Sequence, residues 1–223
     1  MQSKIIHIFL LKQTSTLTDD EVSFLLNQLP IKFQTEIKAY KHQQSAQLAL
    51  LSKIVSQYAF QELKIGSTLD DIKTGIKDRP YVDKPIDFNI SHSGNYVAVA
   101  ISANNKIGID IEKHRAINVD LFKRYFDENE WQEIKQAKDS KSKFFDLWTI
   151  KESAIKCDGR GVEILGKTHK KNELENIVNC DNQHFYYQSI ETEKDYSCTI
   201  CSENLIELNT ISLSLATFLS NKS

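Results

Sequence analysis

Residues 88–112 contain three β-rich runs separated by two pairs of turn-forming residues, and this pattern constrains the fold of the chain more than any other. The pairs are Gly94-Asn95 and Asn104-Asn105, and residues of this kind connect antiparallel strands through tight turns. In the last run, Ile107 to Glu112, apolar and non-apolar residues alternate strictly, which is typical of a strand with one buried face. We therefore predict an antiparallel β-meander whose final strand buries its isoleucines.

Two carboxylates, Asp110 and Glu112, project from the same side of that final strand. At about 3.3 Å of rise per residue their Cα atoms lie roughly 6.5 to 7 Å apart, so both flexible side chains can bind one hard cation. The alternative interpretation is a solvated strand face, because acidic residues are mostly exposed.

The segment from Phe144 to Lys156 has helical periodicity, and Gly159 follows where a helix would end. Glu152 and Lys156 have the i, i+4 spacing of an ordinary helix ion pair, which contributes roughly a few tenths of a kcal/mol. A third carboxylate and neighbouring lysines are also the groups that a magnesium-dependent reaction on phosphates requires. The spacing leaves both interpretations open.

The rest of the chain mixes helical and strand-like segments. A short helix is predicted after Thr18, which has the character of an N-cap. A long helix, bent near Lys41, is predicted from Ile31 to about Leu63, because this stretch contains neither glycine nor proline. Further strands are expected over residues 182–202 and 205–220.

The composition is that of a globular protein with no strong net charge. The 28 lysines and arginines nearly balance 30 aspartates and glutamates, for a net charge of −2, so no global field attracts nucleic acid or an anionic membrane. No apolar run approaches the roughly 20 residues of a membrane span. Any polyanion must therefore be held by local groups.

The cysteines indicate a reducing compartment, which we take to be the cytoplasm. They stand at positions 157, 180, 198 and 201, and they do not resemble the disulfide framework of a small secreted protein. Cys198 and Cys201 have CxxC spacing in a strand-like stretch, with no second pair to complete a zinc site. We expect two ordinary buried thiols there.

The order of four motifs resembles that of the 4′-phosphopantetheinyl transferases, and in particular their longer, surfactin-synthetase-activating type. The motifs lie between residues 78 and 161, and they are Asp78-Arg79-Pro80, Phe88-Asn89-Ile90-Ser91-His92-Ser93-Gly94, Ile107-Gly108-Ile109-Asp110-Ile111-Glu112 and Leu147-Trp148-Thr149-Ile150-Lys151-Glu152-Ser153-Ala154-Ile155-Lys156. The outer parts of the chain match only in general pattern.

The resemblance implies an α+β fold of two similar halves related by a pseudo-twofold axis. The halves would be residues 1–105 and 106–223, with coenzyme A in the cleft between them and the protein monomeric. A serine hydroxyl of an apo acyl or peptidyl carrier protein would attack the β-phosphate of coenzyme A. Phosphopantetheine would be transferred, and adenosine 3′,5′-bisphosphate would leave.

The family's site residues can be carried over residue by residue. Asp110, Glu112 and Glu152 match the family's metal ligands and would hold Mg²⁺ against the coenzyme's pyrophosphate. Glu152 would also act as the base for the incoming serine, directly or through a metal-bound water. Lys156 matches a lysine that contacts phosphate and stabilises charge during transfer.

Further residues match the family's coenzyme contacts. Ser91 and His92 match residues that bind coenzyme phosphate, and Lys151 belongs to the same motif as Glu152. Lys32 fits one of the family's lysines just upstream of the arginine that binds the 3′-phosphate. Arg79 is a candidate for a phosphate contact, although it replaces the lysine of the family's usual Gly-Lys-Pro and stands beside an acid.

One departure from the family pattern concerns the 3′-phosphate of the coenzyme. The family's first long helix carries an arginine that binds this phosphate, and Gln47 stands in its place here. Lys41 and His42 are the nearby residues that would compensate. We therefore predict weaker discrimination between coenzyme A and its 3′-dephospho form.

Two other functions stay open at this stage. One is a metal-dependent phosphodiesterase or nuclease, since Asp110, Glu112 and Lys113 could also serve hydrolysis, although a basic groove with aromatic residues is missing from the sequence. The other is a carrier-protein-binding module that has lost turnover.

Overall fold

The computed structural model describes residues 5–172, 175–205 and 207–220. The α-helices are α1 (Asp19–Leu26), α2 (Ile31–Lys38), α3 (Gln43–Glu62), α4 (Glu128–Gln136), α5 (Ser140–Asp158) and α6 (Leu215–Leu219). The strands are β1 (Ile5–Lys12), β2 (Lys73–Thr74), β3 (Pro80–Tyr81), β4 (Ile86–Ser93), β5 (Tyr96–Ala103), β6 (Ile107–Lys113), β7 (Thr168–Asn172), β8 (Ile177–Cys180), β9 (Gln183–Ser189), β10 (Tyr196–Ser202) and β11 (Glu207–Leu213). Short 3₁₀ helices cover Leu69–Asp71, Ile76–Asp78, Val119–Tyr125 and Gly161–Lys167.

The first sheet has the strand order β11-β1-β5-β4 in the described chain. Its β4–β5 hairpin turns at Gly94, as predicted, and β1 pairs antiparallel with β5. The predicted three-strand meander is wrong beyond this hairpin, because β6 crosses to the second sheet and pairs with β10 instead of β5. Helix α3 packs on one face of this sheet, where Leu50, Leu51 and Val55 join a core that also includes Phe9 and Phe88. The predicted N-cap is confirmed, because the Thr18 hydroxyl accepts a hydrogen bond from the Glu21 amide at the start of α1.

The long helix predicted from Ile31 to Leu63 is two helices in the structure. Helix α2 ends at Lys38, and α3 begins at Gln43 after His42, which has extended backbone angles. The break lies next to the predicted bend at Lys41. It separates a helix that packs through Phe33 and Ile37 from the longer α3.

The second sheet has the order β6-β10-β9-β8-β7 in the described chain, and α5 packs against it. The helix approaches β6 closely at Gly108, where an added Cβ would overlap with the backbone of Ser153 and Cys157. Only glycine leaves room for this approach. Because Gly108 lies on the same face of β6 as Asp110 and Glu112, this contact brings Glu152 and Lys156 over that face.

The two sheets share a third apolar cluster, in which the predicted isoleucine face of β6 is buried. Ile107, Ile109 and Ile111 pack there with Ile6 and Ile8 of β1. This arrangement confirms the predicted α+β fold with two halves, and it places β6 at their junction.

The end of the chain returns to the first half. Strand β11 pairs parallel with β1, and α6 contributes Leu215 to the first core. The strands predicted over residues 205–220 are therefore corrected to one strand and a short helix. The predicted second half, residues 106–223, includes this returning segment. Residues 207–219 nevertheless pack against β1 and the core of the first half.

The helices within the described ranges are all too short or too polar to cross a membrane.

Candidate active site at the junction of the two halves

Two strand edges meet at the junction, and side chains connect them. Strand β4 is the edge of the first sheet and β6 is the edge of the second. Alternate side chains of β4 accept hydrogen bonds from alternate backbone amides of β6: Asp87 from Ile107 at 2.9 Å, Asn89 from Ile109 at 2.9 Å, Ser91 from Ile111 at 3.2 Å and Ser93 from Lys113 at 3.1 Å. We call these four contacts the side-chain ladder. It positions β6, and with it Asp110 and Glu112, against β4.

Asp110 is buried in this junction and has one fully engaged oxygen and one free oxygen. Its Oδ1 accepts hydrogen bonds from Lys156 Nζ at 2.6 Å and from Ser91 Oγ at 3.0 Å. Its Oδ2 is buried without a hydrogen-bond partner among the described residues. An unpartnered carboxylate oxygen is costly to bury, and a cation would satisfy it.

Glu112 lies two residues further along β6 and is more accessible. Its Oε2 accepts hydrogen bonds from Ser93 Oγ at 2.9 Å and from Arg115 at 2.8 Å. The contact from Ser93 repeats the one from Ser91 to Asp110, two residues along each strand.

Glu152 projects from α5 toward the same carboxylates. Burial and then the charge of Asp110 raise its pKa to about 7, while Lys156 lowers this pKa and Glu112 raises it further. Repulsion of this kind operates between carboxylates that share a site. Asp110 and Glu112 therefore lie close enough to Glu152 for their charges to raise its pKa.

Lys156, one turn after Glu152, uses all three of its N–H donors within the protein. Its Nζ donates to Asp110 Oδ1 at 2.6 Å, to the Ile109 carbonyl at 3.1 Å and to Ser91 Oγ at 3.2 Å. The ammonium is thus held at the junction, and a phosphate oxygen would have to replace one of these acceptors.

Two cavities adjoin these residues. A cavity of about 240 Å³ is lined by Glu152 and Lys156 from α5, and also by Arg79, Pro80 and Asn89. A larger cavity of about 550 Å³ is lined by Lys32, Lys53 and His92, and Pro80 borders both. Glu152 and a group of cations therefore line neighbouring cavities.

The predicted coenzyme contacts fall into two groups. His92 and Lys32 line the larger cavity, and Lys32 also donates to the carbonyls of Asp70 and Ile72 at 2.9 and 3.4 Å. Arg79 lines the smaller cavity, but its guanidinium is bonded to Asp87 and to the backbone carbonyls of Ile107 and Lys156. Arg79 therefore links the two halves, and its guanidinium already donates hydrogen bonds within the protein.

The prediction that Lys151 binds the coenzyme is corrected. Its side chain is fully buried, and Nζ lies 2.7 Å from Glu130 Oε2 and 3.3 Å from His169 Nδ1. Hydrogen bonds from His169 and Lys151 outweigh burial and hold the pKa of Glu130 below its usual value. An amine enclosed in this way has an internal role in α5 packing.

Ser91, which the resemblance matches to a residue that binds coenzyme phosphate, is fully hydrogen-bonded within the protein. Ser91 is buried, its hydroxyl hydrogen is directed to Asp110, and its oxygen accepts from Ile111 and Lys156. A hydroxyl has one donor and two acceptor positions, and all are in use.

Gln47, in the place of the family arginine, is also a structural residue. It is buried, it accepts hydrogen bonds from Gln13 and from the Leu17 amide, and it donates to the Leu17 carbonyl. Lys41 and His42, the residues predicted to compensate, are exposed before α3 and do not line the larger cavity. Lys53 lines that cavity instead, and the sequence reasoning missed it.

Another group of potential ligands lies at the start of α4. Asp127, Glu130 and His169 bring their ligand atoms within 4.8 Å of one another, and in the described part of the chain Asp110, Glu112 and Glu152 do not form so tight a group. Lys151 already supplies a positive charge to Glu130 and a contact to His169. Lys151 therefore already pairs with one of the two carboxylates of this group, and we keep the junction as the candidate metal site.

Comparisons with known proteins agree with the motif order. A family model described as 4′-phosphopantetheinyl transferase superfamily matches residues 106–201, and one described as 4′-phosphopantetheinyl transferase, N-terminal, matches residues 16–104. The chain is 33% identical over 187 residues to the 4′-phosphopantetheinyl transferase gsp of Aneurinibacillus migulanus, covering 81% of this chain and 78% of that protein.

A second relative is the 4′-phosphopantetheinyl transferase Sfp of Bacillus subtilis strain 168, which is 29% identical over 179 residues, or 74% of this chain and 78% of Sfp. A protein of Haemophilus influenzae named as a 4′-phosphopantetheinyl transferase is 34% identical over 130 residues, or 53% of this chain and 54% of that protein. The chain belongs to the 4′-phosphopantetheinyl transferase family. Neither the phosphodiesterase nor the non-catalytic module gains support from these relatives.

Proposed function

We propose that this protein transfers the 4′-phosphopantetheine group of coenzyme A to a serine of an apo acyl or peptidyl carrier protein and releases adenosine 3′,5′-bisphosphate. Family membership supports the reaction class. The observation that carries the site assignment is the group of three mutually repelling carboxylates beside Lys156 at the junction of the halves. We propose residues 1–105 and 106–223 as those halves, with the C-terminal strand returned to the first.

Asp110, Glu112 and Glu152 are suited to hold Mg²⁺. The Oδ2 atom of Asp110 is buried without a hydrogen-bond partner among the described residues, and burial and the charge of Asp110 raise the pKa of Glu152. A bound cation would relieve both unfavourable features. Carboxylate oxygens are the ligands that Mg²⁺ prefers. When bound, this ion withdraws electron density from phosphate oxygens and offsets the charge on the leaving group.

Glu152 is proposed as the base. The carrier serine oxygen forms a bond to the β-phosphorus, the bond from that phosphorus to the oxygen shared with the α-phosphate breaks, and the serine proton passes to the Glu152 carboxylate. The group lines the smaller cavity, where a substrate hydroxyl can approach it. A carboxylate with a pKa raised toward neutrality is a stronger base than an ordinary one.

Lys156 is proposed to stabilise charge on the phosphates. Its ammonium is held at the edge of the same cavity by Asp110 and the Ile109 carbonyl. If the coenzyme displaces the Ser91 contact, one N–H becomes available for a phosphate oxygen. A fixed cation at this position costs no reorganisation during transfer.

The larger cavity is proposed to receive the 3′-phosphate of the coenzyme. Lys32 and Lys53 place their ammonium groups 4.9 and 4.4 Å from the centroid of the Phe33 ring, so two cations lie close together. Lys53 has Glu36 3.8 Å away, beyond hydrogen-bond distance, and donates no hydrogen bond among the described residues. His92 lines the same cavity. A phosphate would satisfy these donors.

The remaining expectations stay proposals. We propose that the protein acts as a monomer in the cytoplasm, where its buried cysteines stay reduced. The partners would be coenzyme A and a carrier protein.

The reaction is tested by incubating the protein with coenzyme A, Mg²⁺ and an apo carrier domain and then weighing the carrier. Transfer adds one phosphopantetheine, roughly 340 Da, to the serine. A phosphodiesterase would consume coenzyme A and leave the carrier unmodified, and a binding module would change neither.

A further inference from the structure

Two serines of the β4 motif are directed toward β6: Ser91, which the family resemblance matches to a coenzyme-binding residue, and Ser93, to which it assigns no role. Ser91 and Ser93 each contact a metal-candidate carboxylate on β6. We propose that Ser91 and Ser93 are positioning residues that orient Asp110 and Glu112 for the cation. This inference rests on the proposed function for the identity of the metal site.

The two serines make the same pair of contacts, displaced by two residues. Ser91 Oγ accepts from the Ile111 amide at 3.2 Å and donates to Asp110 at 3.0 Å. Ser93 Oγ accepts from the Lys113 amide at 3.1 Å and donates to Glu112 at 2.9 Å. Each hydroxyl thus binds two consecutive residues of β6, a carboxylate and the amide that follows it.

The backbone contact determines where the hydroxyl hydrogen points. Because an amide N–H occupies one lone pair of each serine oxygen, the hydroxyl rotates so that its hydrogen reaches the carboxylate. The carboxylate therefore receives its hydrogen bond from a group that the strand backbone itself holds. Side chains that hold metal ligands in this way fix ligand orientation.

The contacts also leave other carboxylate oxygens free for a cation. Ser91 engages Oδ1 of Asp110, and the buried Oδ2 has no partner in the described residues. Ser93 and Arg115 both engage Oε2 of Glu112. A serine on one oxygen of each carboxylate restricts rotation and leaves the other oxygen for the ion.

Asn89 provides a matched control within the same ladder. It accepts from the Ile109 amide at 2.9 Å, so Asn89→Ala leaves a β6 amide without an acceptor just as Ser91→Ala does. The carboxylates of Asp110 and Glu112 receive no hydrogen bond from Asn89. The two kinds of variant therefore separate loss of the strand contact from loss of the carboxylate contact.

The test measures metal and coenzyme binding separately, with no carrier present. Mn²⁺ is titrated in the presence of saturating coenzyme A and followed by the electron paramagnetic resonance of the free ion. Coenzyme A is titrated by calorimetry in EDTA. The proteins are the wild type, Ser91→Ala, Ser93→Ala, Ser93→Thr and Asn89→Ala.

We expect Ser91→Ala and Ser93→Ala to weaken Mn²⁺ binding by about tenfold or more, the range typical when an outer hydrogen bond to a metal ligand is lost. Ser93→Thr, which keeps the hydroxyl, restores the affinity. Asn89→Ala lowers the melting temperature and leaves Mn²⁺ affinity within about twofold of wild type. Coenzyme affinity in EDTA is unchanged in Ser93→Ala.

The inference is overturned if the serine variants keep wild-type Mn²⁺ affinity, or if Ser93→Ala loses coenzyme affinity in EDTA as a direct phosphate ligand would. If Ser91→Ala does not fold, the less buried Ser93 pair decides alone. A parallel reaction measures whether the wild type modifies an apo carrier domain. If it does, a negative result with the serine variants concerns the role of the serines and not the proposed function.

Discussion

The ammonium of Lys156 lies 2.6 Å from Oδ1 of Asp110, so a cation of the α5 helix neutralises a metal-candidate carboxylate of the neighbouring strand. The same ammonium lowers the pKa of Glu152, which burial and Asp110 raise. Lys156 therefore balances charge at the junction before any substrate binds.

Replacing Lys156 with methionine should lower the transfer rate by about a hundredfold or more, because a fixed cation beside the phosphates is lost. The change keeps the length of the side chain but removes the cation beside the buried Asp110, so the rates are compared at a temperature where circular dichroism shows that both proteins are folded. The rate is measured from the appearance of holo-carrier by mass. Lys167→Met is a suitable control, since Lys167 is exposed. A Lys156→Met enzyme with wild-type turnover would remove this residue from the mechanism.

Glu152 should make the metal-free protein less stable as the pH rises. Its pKa in the folded state is about 7, above the unfolded value of 4.5, so the folded state binds the proton more tightly. Stability is then lost progressively between about pH 4.5 and 7, by on the order of 3 kcal/mol at most. In EDTA, Glu152→Gln should raise the melting temperature at pH 8 and leave it unchanged at pH 4.

Glu163→Gln is the control for that experiment, because Glu163 is exposed and its hydrogen bond with Lys77 lowers its pKa. Added Mg²⁺ should stabilise the wild type at pH 8 and have less effect on Glu152→Gln. A melting temperature of Glu152→Gln equal to that of wild type at pH 8 would contradict the charge repulsion described above.

Lys151→Met should destabilise the protein by about 3 to 5 kcal/mol, because it leaves the buried Glu130 without its cation. Chemical denaturation measures this loss, and the double variant Lys151→Met with Glu130→Gln should recover part of it. At a temperature where the single variant is folded, the KM for coenzyme A should not change. A raised KM for coenzyme A without a loss of stability would instead support the coenzyme contact that the motif assigned to Lys151.

Lys53→Gln should reduce the preference for coenzyme A over 3′-dephospho-coenzyme A by about tenfold, since a charge-assisted contact is worth roughly 1.5 kcal/mol or more. The measurement compares kcat/KM for the two coenzymes in each protein. Lys41→Gln is the matched control, because Lys41 is exposed and does not line the larger cavity. If Lys41→Gln abolishes the preference and Lys53→Gln does not, the assignment of that cavity is wrong.

Local patterns in the sequence were sufficient to predict much of the structure at the junction of the two halves. The alternation of Ile107 to Glu112 predicted the buried face of β6, and Gly94 marked the hairpin before it. The i, i+4 pair Glu152 and Lys156 was found, and the motif order indicated the family. These features depend on neighbouring residues and on a repeat of two or 3.6 residues.

Other features depend on contacts between distant segments, which no local pattern contains. Lys151 looks like any lysine of an amphipathic helix until Glu130 and His169 pack against it. Strand β11 joins β1 from the other end of the chain. Lys53 reaches the larger cavity only because α3 packs against β4.

One missed feature did leave a signal. Asp87, Asn89, Ser91 and Ser93 occupy every second position of a strand, and each is a short hydrogen-bond acceptor. Such a series predicts a polar strand face, and it becomes the side-chain ladder because β6 lies beside it with a constant offset of 20 residues.

The most direct test of the central claim is the mass of an apo carrier domain after incubation with coenzyme A, Mg²⁺ and either the wild type or the variants Asp110→Ala, Glu112→Ala and Glu152→Ala. Circular dichroism first establishes that all four proteins are folded. The account predicts a gain of roughly 340 Da, one phosphopantetheine, with the wild type and no gain with any of the three variants. Wild-type levels of modified carrier from all three variants would contradict the assignment of these carboxylates to the site.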